Sequence, residues 1–474
     1  MTRTGSGDRL RKEMRAAGWK VVVLDDDPTG TQTVAGVPVL TSWTVGDLTW
    51  GLEHADPTLF VLTNSRALST RAAATINRRV ARNCLHATSR HGFQLSLLSL
   101  GDSTLRSHLV AEIEALDSEI CAANSGQAAT VVLCPAFPEM GRVTFGGAQL
   151  VRTSSVLGEV GGPAFAKGPT FGDRSSRLSD WMEESSEGHW RAEDVIVVDL
   201  ETIRSGGATA IAERIAAAGP SHPVALDAVS IRDVEIAAAG VQLAESRGSA
   251  VLLRCGPTMA RARGGLPRAL PISDEALKSL CETSRSPYGL VIVGSPHPLT
   301  TAQVAVTLQL GDVELVELDV ARVLDASSGQ KELDRVALFV ARALHGSDVL
   351  LQASRAVNAQ SSLRNQREAA RVAEAIASIV TRIVSSNRLS WIVAKGGATS
   401  YDVITKVLRL QRTEVVGPIL PGVGSLWHDR SGDGPLMIAF PGQAGNDESL
   451  RDVVVRLRFA IRTARTEPLR LRGA

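Results

Sequence analysis

The chain has 474 residues, enough for two or three domains, and 44% of them are hydrophobic, enough for a sizeable core. The 51 Lys and Arg residues nearly balance the 50 Asp and Glu residues, which argues against a nucleic-acid or membrane-surface partner. The five cysteines form no C-x-x-C pair, and no secretory signal or long apolar stretch is evident, so we expect a cytoplasmic protein with reduced thiols and no membrane span.

Short apolar runs alternate with helical patterns in the first half of the chain. Strands are predicted at 21–24, 59–63, 94–98, 130–133, 194–200 and 223–228, and the clearest helix at 105–123. The segment 158–189 is rich in Gly, Ser, Pro and charged residues, which predicts a long excursion of open role, either a lid or a surface loop. Strand–helix alternation is typical of parallel sheets with helices on both faces.

A second alternating block follows a change of composition at 257–287. Strands are predicted at 290–293, 313–318, 348–352, 391–394 and 436–440, with helices at 301–308, 333–344, 369–385, 401–408 and 450–463. The sequence therefore predicts an α/β protein made of two Rossmann-like α/β domains with largely parallel sheets. Their expected bounds are 1–256 and 288–474, with 257–287 as the linker region.

Polar clusters follow four of the predicted strands in the first block. Because the carboxyl ends of parallel strands meet at one edge of a sheet, we expect these clusters to converge. Converging Asp and Arg side chains are typical of a site for a small, polyhydroxylated anion. The candidate residues are Asp26, Asp27, Asn64, Ser65, Arg66, Asp102, Ser103, Arg106 and Arg142.

Each of these clusters also has a purely structural interpretation. Asp26 and Asp27 can form an acidic turn that caps the following helix. Asp102 and Ser103 can be helix N-caps, and Arg66 can be a solvated arginine. Recurrence at four successive strand ends favours a site over four unrelated turns.

Glycine-rich turns follow the strands of the second block. Glycine at a strand–helix junction lets backbone N–H groups approach a phosphate, so these turns predict a nucleotide site, although neither the P-loop nor the G-x-G-x-x-G motif is present. Lys395 either reaches a nucleotide phosphate or faces solvent, and His297 is interpreted as a turn residue. No zinc-ligand spacing is found. The candidate residues are Ser295, Lys395, Gly397, Ala398, Thr399, Ser400, Gly422, Gly442 and Gly445.

Taken together, these motifs resemble the four-carbon acid sugar kinases over nearly the whole chain. They are Leu24-Asp25-Asp26-Asp27-Pro28-Thr29-Gly30, 63–69 (TNSRALS), 102–106 (DSTLR), 135–142, Gly294-Ser295, 396–400 (GGATS) and 417–422. The resemblance implies a two-domain ATP-dependent kinase whose N-terminal domain binds the sugar acid and whose C-terminal domain binds the nucleotide. It implies substrates such as threonate, erythronate or 3-oxotetronate, phosphorylated on the terminal hydroxyl. Nucleotide contacts then fall on Ser295, on 397–400 and near Gly442 and Gly445.

The sequence departs from the family at three places. Family members usually carry lysines just before the DSTLR run, where this chain has Ser99, Leu100 and Gly101. After the run they carry Gly-Asn, where this chain has Ser107-His108. In the late loop, Phe440 stands where the family has lysine. Either Lys395 compensates, or the substrate has changed, or catalysis has decayed.

The leading hypothesis is phosphoryl transfer from ATP to a hydroxyl of a short sugar acid. Asp27 or Asp26 orients or deprotonates that hydroxyl, Arg66 and Arg106 bind the substrate carboxylate, and Asp102 hydrogen-bonds a hydroxyl. Mg²⁺ bridges the nucleotide phosphates, and the two sheets face each other across a cleft. The alternative is a catalytically weakened or inactive member that binds nucleotide or sugar acid in a regulatory or interaction role. A homodimer is compatible with the family and with the large apolar fraction.

Overall fold

The computed structural model describes residues 5–54, 56–153, 156–160, 175–282, 286–354, 363–386, 389–429 and 434–466. The chain divides into two compact units, Met1–Arg268 and Ala269–Ala474. The division lies inside the 257–287 segment, which contributes one helix to each unit. Of the predicted excursion, 161–174 lies outside the described residues.

The first unit alternates strands and helices. Its helices are α1 (Gly5–Ala16), α2 (Val45–Leu52), α3 (Thr70–His91), α4 (Leu109–Ala123), α5 (Leu178–Ser185), α6 (Gly207–Ala218), α7 (Ile231–Ser246) and α8 (Pro257–Arg263). Its strands are β1 (Trp19–Asp25), β2 (Val37–Leu40), β3 (Thr58–Leu62), β4 (Gln94–Leu100), β5 (Thr130–Cys134), β6 (Arg142–Phe145), β7 (Ala148–Thr153), β8 (Val156–Glu159), β9 (Ile196–Val198), β10 (Val224–Leu226) and β11 (Val251–Cys255).

The main sheet of the first unit runs in the order β2-β3-β1-β4-β11-β5-β10-β9. Its neighbouring strands are all parallel, and most are buried on both faces, as expected for nearly continuous apolar runs. The strand order reverses at β1, which lies between β3 and β4. Ligands in such sheets bind beyond the carboxyl ends of the strands at this reversal. A small antiparallel sheet, β6-β7-β8, is separate from it.

The second unit has the same construction. Its helices are α9 (Asp274–Cys281), α10 (Pro298–Leu308), α11 (Val320–Leu324), α12 (Gly329–Ala343), α13 (Leu363–Ser386), α14 (Gly397–Asp402) and α15 (Ser449–Thr466). Its strands are β12 (Leu290–Val293), β13 (Val313–Leu318), β14 (Asp348–Ala353), β15 (Trp391–Lys395), β16 (Arg412–Leu420), β17 (Val423–His428) and β18 (Leu436–Phe440). In the order β13-β14-β12-β15-β18-β17-β16, the first five strands are parallel and the last two antiparallel. Here the strand order reverses at β12.

The α/β class and the largely parallel sheets are confirmed, and the differences are local. Helix α4 begins at Leu109 rather than at 105, because Leu105 has φ of 65° and cannot continue a right-handed helix. The predicted turn at 417–422 is mostly strand β16, which accommodates its glycine and proline at an irregularity between Val415 and Gly417. Strands β2, β11 and β17 and the small antiparallel sheet were not predicted. No helix in the described ranges is long and apolar enough to cross a membrane.

Candidate active site

Three consecutive aspartates end β1 at the reversal of the first sheet. The Asp27 side chain shapes the turn, because its Oδ1 accepts hydrogen bonds from the backbone N of Thr29 (2.9 Å) and from the Thr29 hydroxyl (2.6 Å). Asp25 accepts from the Asp27 backbone N at 3.2 Å, and burial is the main cause that raises the pKa of Asp25 well above its ordinary value. A side chain at Gly30 would overlap the Asp25 carboxyl, so the turn requires glycine there. The Asp26 carboxyl group instead contacts Arg66.

Arg66 links three carboxylates at this edge. Its guanidinium forms a bidentate pair with Asp26, Nε to Oδ2 at 3.2 Å and Nη2 to Oδ1 at 2.5 Å. Its Nη1 lies 3.4 Å from Asp27 Oδ2 and 3.7 Å from Asp102 Oδ2. The turn that carries Arg66 begins at Asn64, whose φ of 51° is left-handed. Sequence clusters from three strand ends therefore converge as predicted from the parallel sheet.

The environment of Asp26 has opposing effects on its charge. Burial raises its pKa, Arg66 and Arg254 lower it, and the net result is a pKa of about 6. The Arg66 side chain is 21% exposed, whereas that of Asp26 is 3% exposed. Asp26 is thus a nearly buried carboxyl that titrates close to neutral pH, a property common among catalytic acids and bases.

Asp102 is another carboxylate of the site, and the guanidinium groups of Arg66, Arg106 and Arg142 lie near it. Arg106 Nε donates to Asp102 Oδ2 at 2.6 Å, and Arg142 Nη1 lies 3.8 Å from Oδ1. Arg142 also donates to the Ser103 hydroxyl at 2.7 Å. The Thr104 backbone N and hydroxyl donate to Asp102 as well, and these arginines and hydrogen bonds outweigh burial and hold the pKa of Asp102 well below its ordinary value. Asp102 is therefore a permanent anion in this state.

Sequence reasoning missed a fourth arginine of this cluster. Arg254, on β11, donates from Nη1 to the Ser99 hydroxyl (2.6 Å) and to Glu112 Oε2 (2.7 Å), and its Nη2 lies 3.8 Å from Asp26 Oδ2. Glu112 Oε1 accepts in turn from the Ser65 hydroxyl at 2.5 Å. An arginine within the apolar run VLLRC was the available signal. Ser65, predicted to bind substrate, is engaged in this internal network.

In the second unit, loops from three strand ends meet at Ser295. A Cβ at Gly442 would lie 2.5 Å from the Ser295 hydroxyl, and one at Gly396 would lie 3.4 Å from Ser295 Cβ. The Thr300 hydroxyl lies 3.1 Å from that of Ser295 and donates to the Gly442 carbonyl at 3.0 Å. A side chain at Gly294 would overlap the Thr399 hydroxyl. The glycines therefore permit close backbone approach at the reversal of the second sheet.

Lys395 is fully buried at the end of β15. Its Nζ donates to the Pro441 carbonyl at 2.7 Å and lies 3.8 Å from the centroid of the Phe440 ring. Burial lowers the pKa of Lys395 to about 7. Of the two sequence interpretations, the one in which Lys395 faces solvent is wrong.

The remaining predicted nucleotide residues lie along the same edge but differ in their contacts. The Ser400 hydroxyl donates to the carbonyls of Ala394 (3.0 Å) and Gly396 (2.8 Å), so it stabilises its own turn. Gly397 and Ala398 open α14. Gly422 directly precedes β17, and a Cβ at Gly445 would lie 3.5 Å from Val423, the first residue of that strand. Among the residues described, no group of three or more His, Cys, Asp or Glu side chains is placed to hold a metal.

Two family models match the chain in consecutive stretches. A sugar-binding N-terminal domain model matches residues 21–263, and a nucleotide-binding C-terminal domain model matches residues 290–450. The chain belongs to the four-carbon acid sugar kinase family. The two matches coincide with the two units of the structure.

Named relatives of this four-carbon acid sugar kinase family member are moderately similar. It is 27% identical to the D-threonate kinase of Salmonella typhimurium over 368 residues, 74% of this chain and 78% of the relative. It is 26% identical to the 3-oxo-isoapionate kinase of Paraburkholderia graminis over 254 residues, 49% of this chain and 50% of the relative. The relatives support a sugar acid kinase family in general terms.

Solved structures show the same fold. A Salmonella typhimurium protein provisionally described as a tRNA synthase superposes with a TM-score of 0.64 at 18% identity, covering 92% of this chain and 98% of that one. A Haemophilus influenzae protein of the family DUF1537 gives a TM-score of 0.59 at 14% identity, covering 93% of this chain and 100% of that one. At such identities these likenesses concern the fold alone.

Proposed function

We propose that this protein is an ATP-dependent kinase that phosphorylates a hydroxyl of a four-carbon sugar acid of the threonate, erythronate or 3-oxotetronate type. The observation that carries the proposal is the bidentate contact of Arg66 with Asp26 at the reversal of the first sheet. It places a cation suited to a carboxylate beside a carboxyl group that titrates near neutral pH.

The residues of the first unit have distinct roles in the reaction. Asp26 accepts the proton of the attacking substrate hydroxyl, because its pKa of about 6 suits a general base near neutral pH. Arg66 and Arg106 bind the substrate carboxylate, and Asp102 accepts a hydrogen bond from a second hydroxyl. As the Asp26 carboxyl takes the proton, the hydroxyl oxygen bonds to the γ-phosphorus and ADP leaves.

The second unit fits the phosphates of a nucleotide. Ser295 offers a hydroxyl, and the glycines at 396 and 442 let backbone approach it closely. Lys395 supplies a buried amine behind the same loops, and this amine is protonated below about pH 7. When bound, ATP with Mg²⁺ supplies the transferred phosphoryl group and the charge that neutralises it. We assign Mg²⁺ no ligand on this chain.

The experiment is a coupled assay of ADP release with ATP·Mg and a panel of four-carbon sugar acids. We expect turnover with at least one acid, and we expect Asp26→Asn to lower kcat by about 10²–10⁴ if proton transfer is its role. Asp199→Asn is the matched control, because Asp199 is an exposed aspartate at the carboxyl end of β9 in the same sheet. Full activity of a folded Asp26→Asn variant would remove Asp26 from the mechanism.

A second candidate function is that of a non-catalytic member which binds nucleotide or sugar acid in a regulatory role. It is favoured by Ser99 and Phe440, which stand where the resemblance places lysines. Tight calorimetric binding of ATP or of a sugar acid, with no turnover on any member of the panel, would select this candidate over the kinase.

A further inference from the structure

Arg254 is the most buried of the cations around Asp26. Its side chain is 7% exposed, compared with 21% for Arg66. It is paired in register with Ser99 on the neighbouring strand β4 and donates to that hydroxyl at 2.6 Å. Its second partner is Glu112, on α4, at 2.7 Å. Arg254 is therefore anchored to two elements that do not belong to the substrate-facing loops.

The glycine at position 101 makes this placement possible. A side chain there would overlap the Arg254 guanidinium, so the strand end keeps an open volume that the guanidinium fills. A buried arginine is costly unless it is paired, and Arg254 has a carboxylate, a hydroxyl and the nearby Asp26 as partners. Burying this charged side chain next to Asp26 therefore costs desolvation free energy, which its partners offset.

The two cations next to Asp26 differ in what substrate binding does to them. Arg66 is partly exposed and is the group proposed to receive the substrate carboxylate, so that contact competes with its pair to Asp26. Arg254 lies on the interior side and keeps its anchors in either state. We propose that Arg254 is a positioning residue that holds the Asp26 carboxylate ionised and oriented while Arg66 engages the substrate. This inference rests on the function proposed above.

Charged groups from several elements face Asp26. Arg66 and Arg254 stabilise its ionised form, and Glu112 opposes it. Loss of Arg254 therefore raises the pKa of Asp26 beyond about 6, because a stabilising cation is removed from a buried anion. The charged groups around Asp26 are Asp25 and Asp27 on its own turn, Arg66 after β3, Glu112 on α4 and Arg254 on β11. Asp102, after β4, contacts Arg66 and so affects Asp26 indirectly.

The test compares three variants that all carry Glu112→Gln. Removal of Arg254 then leaves no unpaired carboxylate buried at position 112. Glu112→Gln is the reference, since glutamine can still bond the Ser65 hydroxyl. Glu112→Gln with Arg254→Met removes the cation. Adding Ser99→Lys to that pair returns a cation to the space between the same strands. The matched control combines Arg263→Met with Glu245→Gln. These two residues form a buried ion pair, and Glu245 accepts a hydrogen bond from the Ser96 hydroxyl near the other end of β4.

Two readouts are measured on each folded variant. The first is the pH profile of kcat with ATP and the sugar acid. The second is the titration of Asp26 by ¹³C NMR with Asp labelled at Cγ, its signal assigned by its loss in Asp26→Asn. We expect Arg254→Met to raise the Asp26 midpoint by about one pH unit, and so to lower kcat by about twofold at pH 7 and by about tenfold well below pH 6, with the KM for ATP unchanged. We expect Ser99→Lys to reverse both changes and the control to produce neither.

The role is overturned if the Arg254→Met variant titrates Asp26 at the same pH as its reference. It is equally overturned if the variant with Ser99→Lys folds but does not return the midpoint. If Arg254→Met does not fold, Arg254→Gln, which removes the charge but keeps a hydrogen-bond donor, takes its place in the same comparison. Wild-type protein without turnover on any sugar acid would defeat the kinase proposal alone, because the NMR titration still decides the role of Arg254.

Discussion

Lys395 and Phe440 are register partners on neighbouring parallel strands, and the lysine Nζ lies 3.8 Å from the centre of the phenylalanine ring. The family resemblance places a lysine at position 440, and in this chain Lys395 places an amine on the paired strand at the same edge of the sheet. Arg254 and Ser99 show the same relationship in the first unit, since Ser99 stands where the family has lysine. In both units a basic side chain therefore lies in register beside a position where the resemblance places lysine.

Lys395 gives stability a specific dependence on pH. Its pKa falls from 10.5 to about 7 in the folded chain, so between those values the unfolded chain binds more protons and the free energy of unfolding rises with pH. We expect Lys395→Met to flatten this rise and to be more stable than wild type at pH values below about 7. Denaturant titrations across the neutral and alkaline range measure it, with Lys406→Met as the control. An unchanged slope would show that Lys395 stays charged when buried.

The acid limb of the pH–rate profile reports on Asp26. Its pKa is raised from 3.8 to about 6, and the proposed role requires the ionised form. The rate constant kcat/KM therefore falls as pH decreases through about 6, by roughly tenfold per unit below it. Steady-state kinetics from acid to neutral pH measure this limb. A limb at the ordinary aspartate value, or one that persists in Asp26→Asn, would assign it to another group.

Arg106 is predicted to affect the sugar acid and not the nucleotide. Its guanidinium contacts Asp102 and is partly exposed, so it can receive a substrate carboxylate. We expect Arg106→Gln to raise the KM for the acid by about 10–100-fold, the value of one charge-assisted contact, with the KM for ATP unchanged. Arg82→Gln is the control, because Arg82 forms an exposed ion pair with Glu119 in the same unit. A parallel rise in both KM values would indicate general damage to the fold.

Position 101 and Arg254 are predicted to be energetically coupled. Gly101→Ala directs a Cβ into the Arg254 guanidinium and should cost about 1–3 kcal/mol of unfolding free energy. In an Arg254→Met background the same substitution should cost less, because the overlapping group is gone. A double-mutant cycle by denaturant unfolding measures the coupling, and Gly46→Ala in the exposed part of α2 is the control. Additive effects would contradict the proposed packing.

The sequence predicts best where burial alone decides structure. Strands 290–293 and 436–440 were predicted at the observed bounds because each is a short, fully buried apolar run. Strand 313–318 was also predicted at its observed bounds, although both of its glutamates are exposed. Sequence prediction failed at β11, where Arg254 interrupts the apolar pattern and is satisfied by Glu112, 142 residues away along the chain. The start of α4 was misplaced because the turn at Asp102 forces Leu105 into a left-handed backbone. Long-range pairing and local strain are not visible in periodicity.

The aspartates around Arg66 have a further consequence for recognition. Arg66, Arg106 and Arg142 already have carboxylate neighbours within the chain, so an incoming acid gains only the difference between its own contact and the internal one. On the proposed function we therefore expect modest affinity for simple monocarboxylates, with the hydroxyl groups of the ligand supplying the rest of the binding free energy. We expect this competition with the internal aspartates to favour polyhydroxylated acids over simple carboxylates.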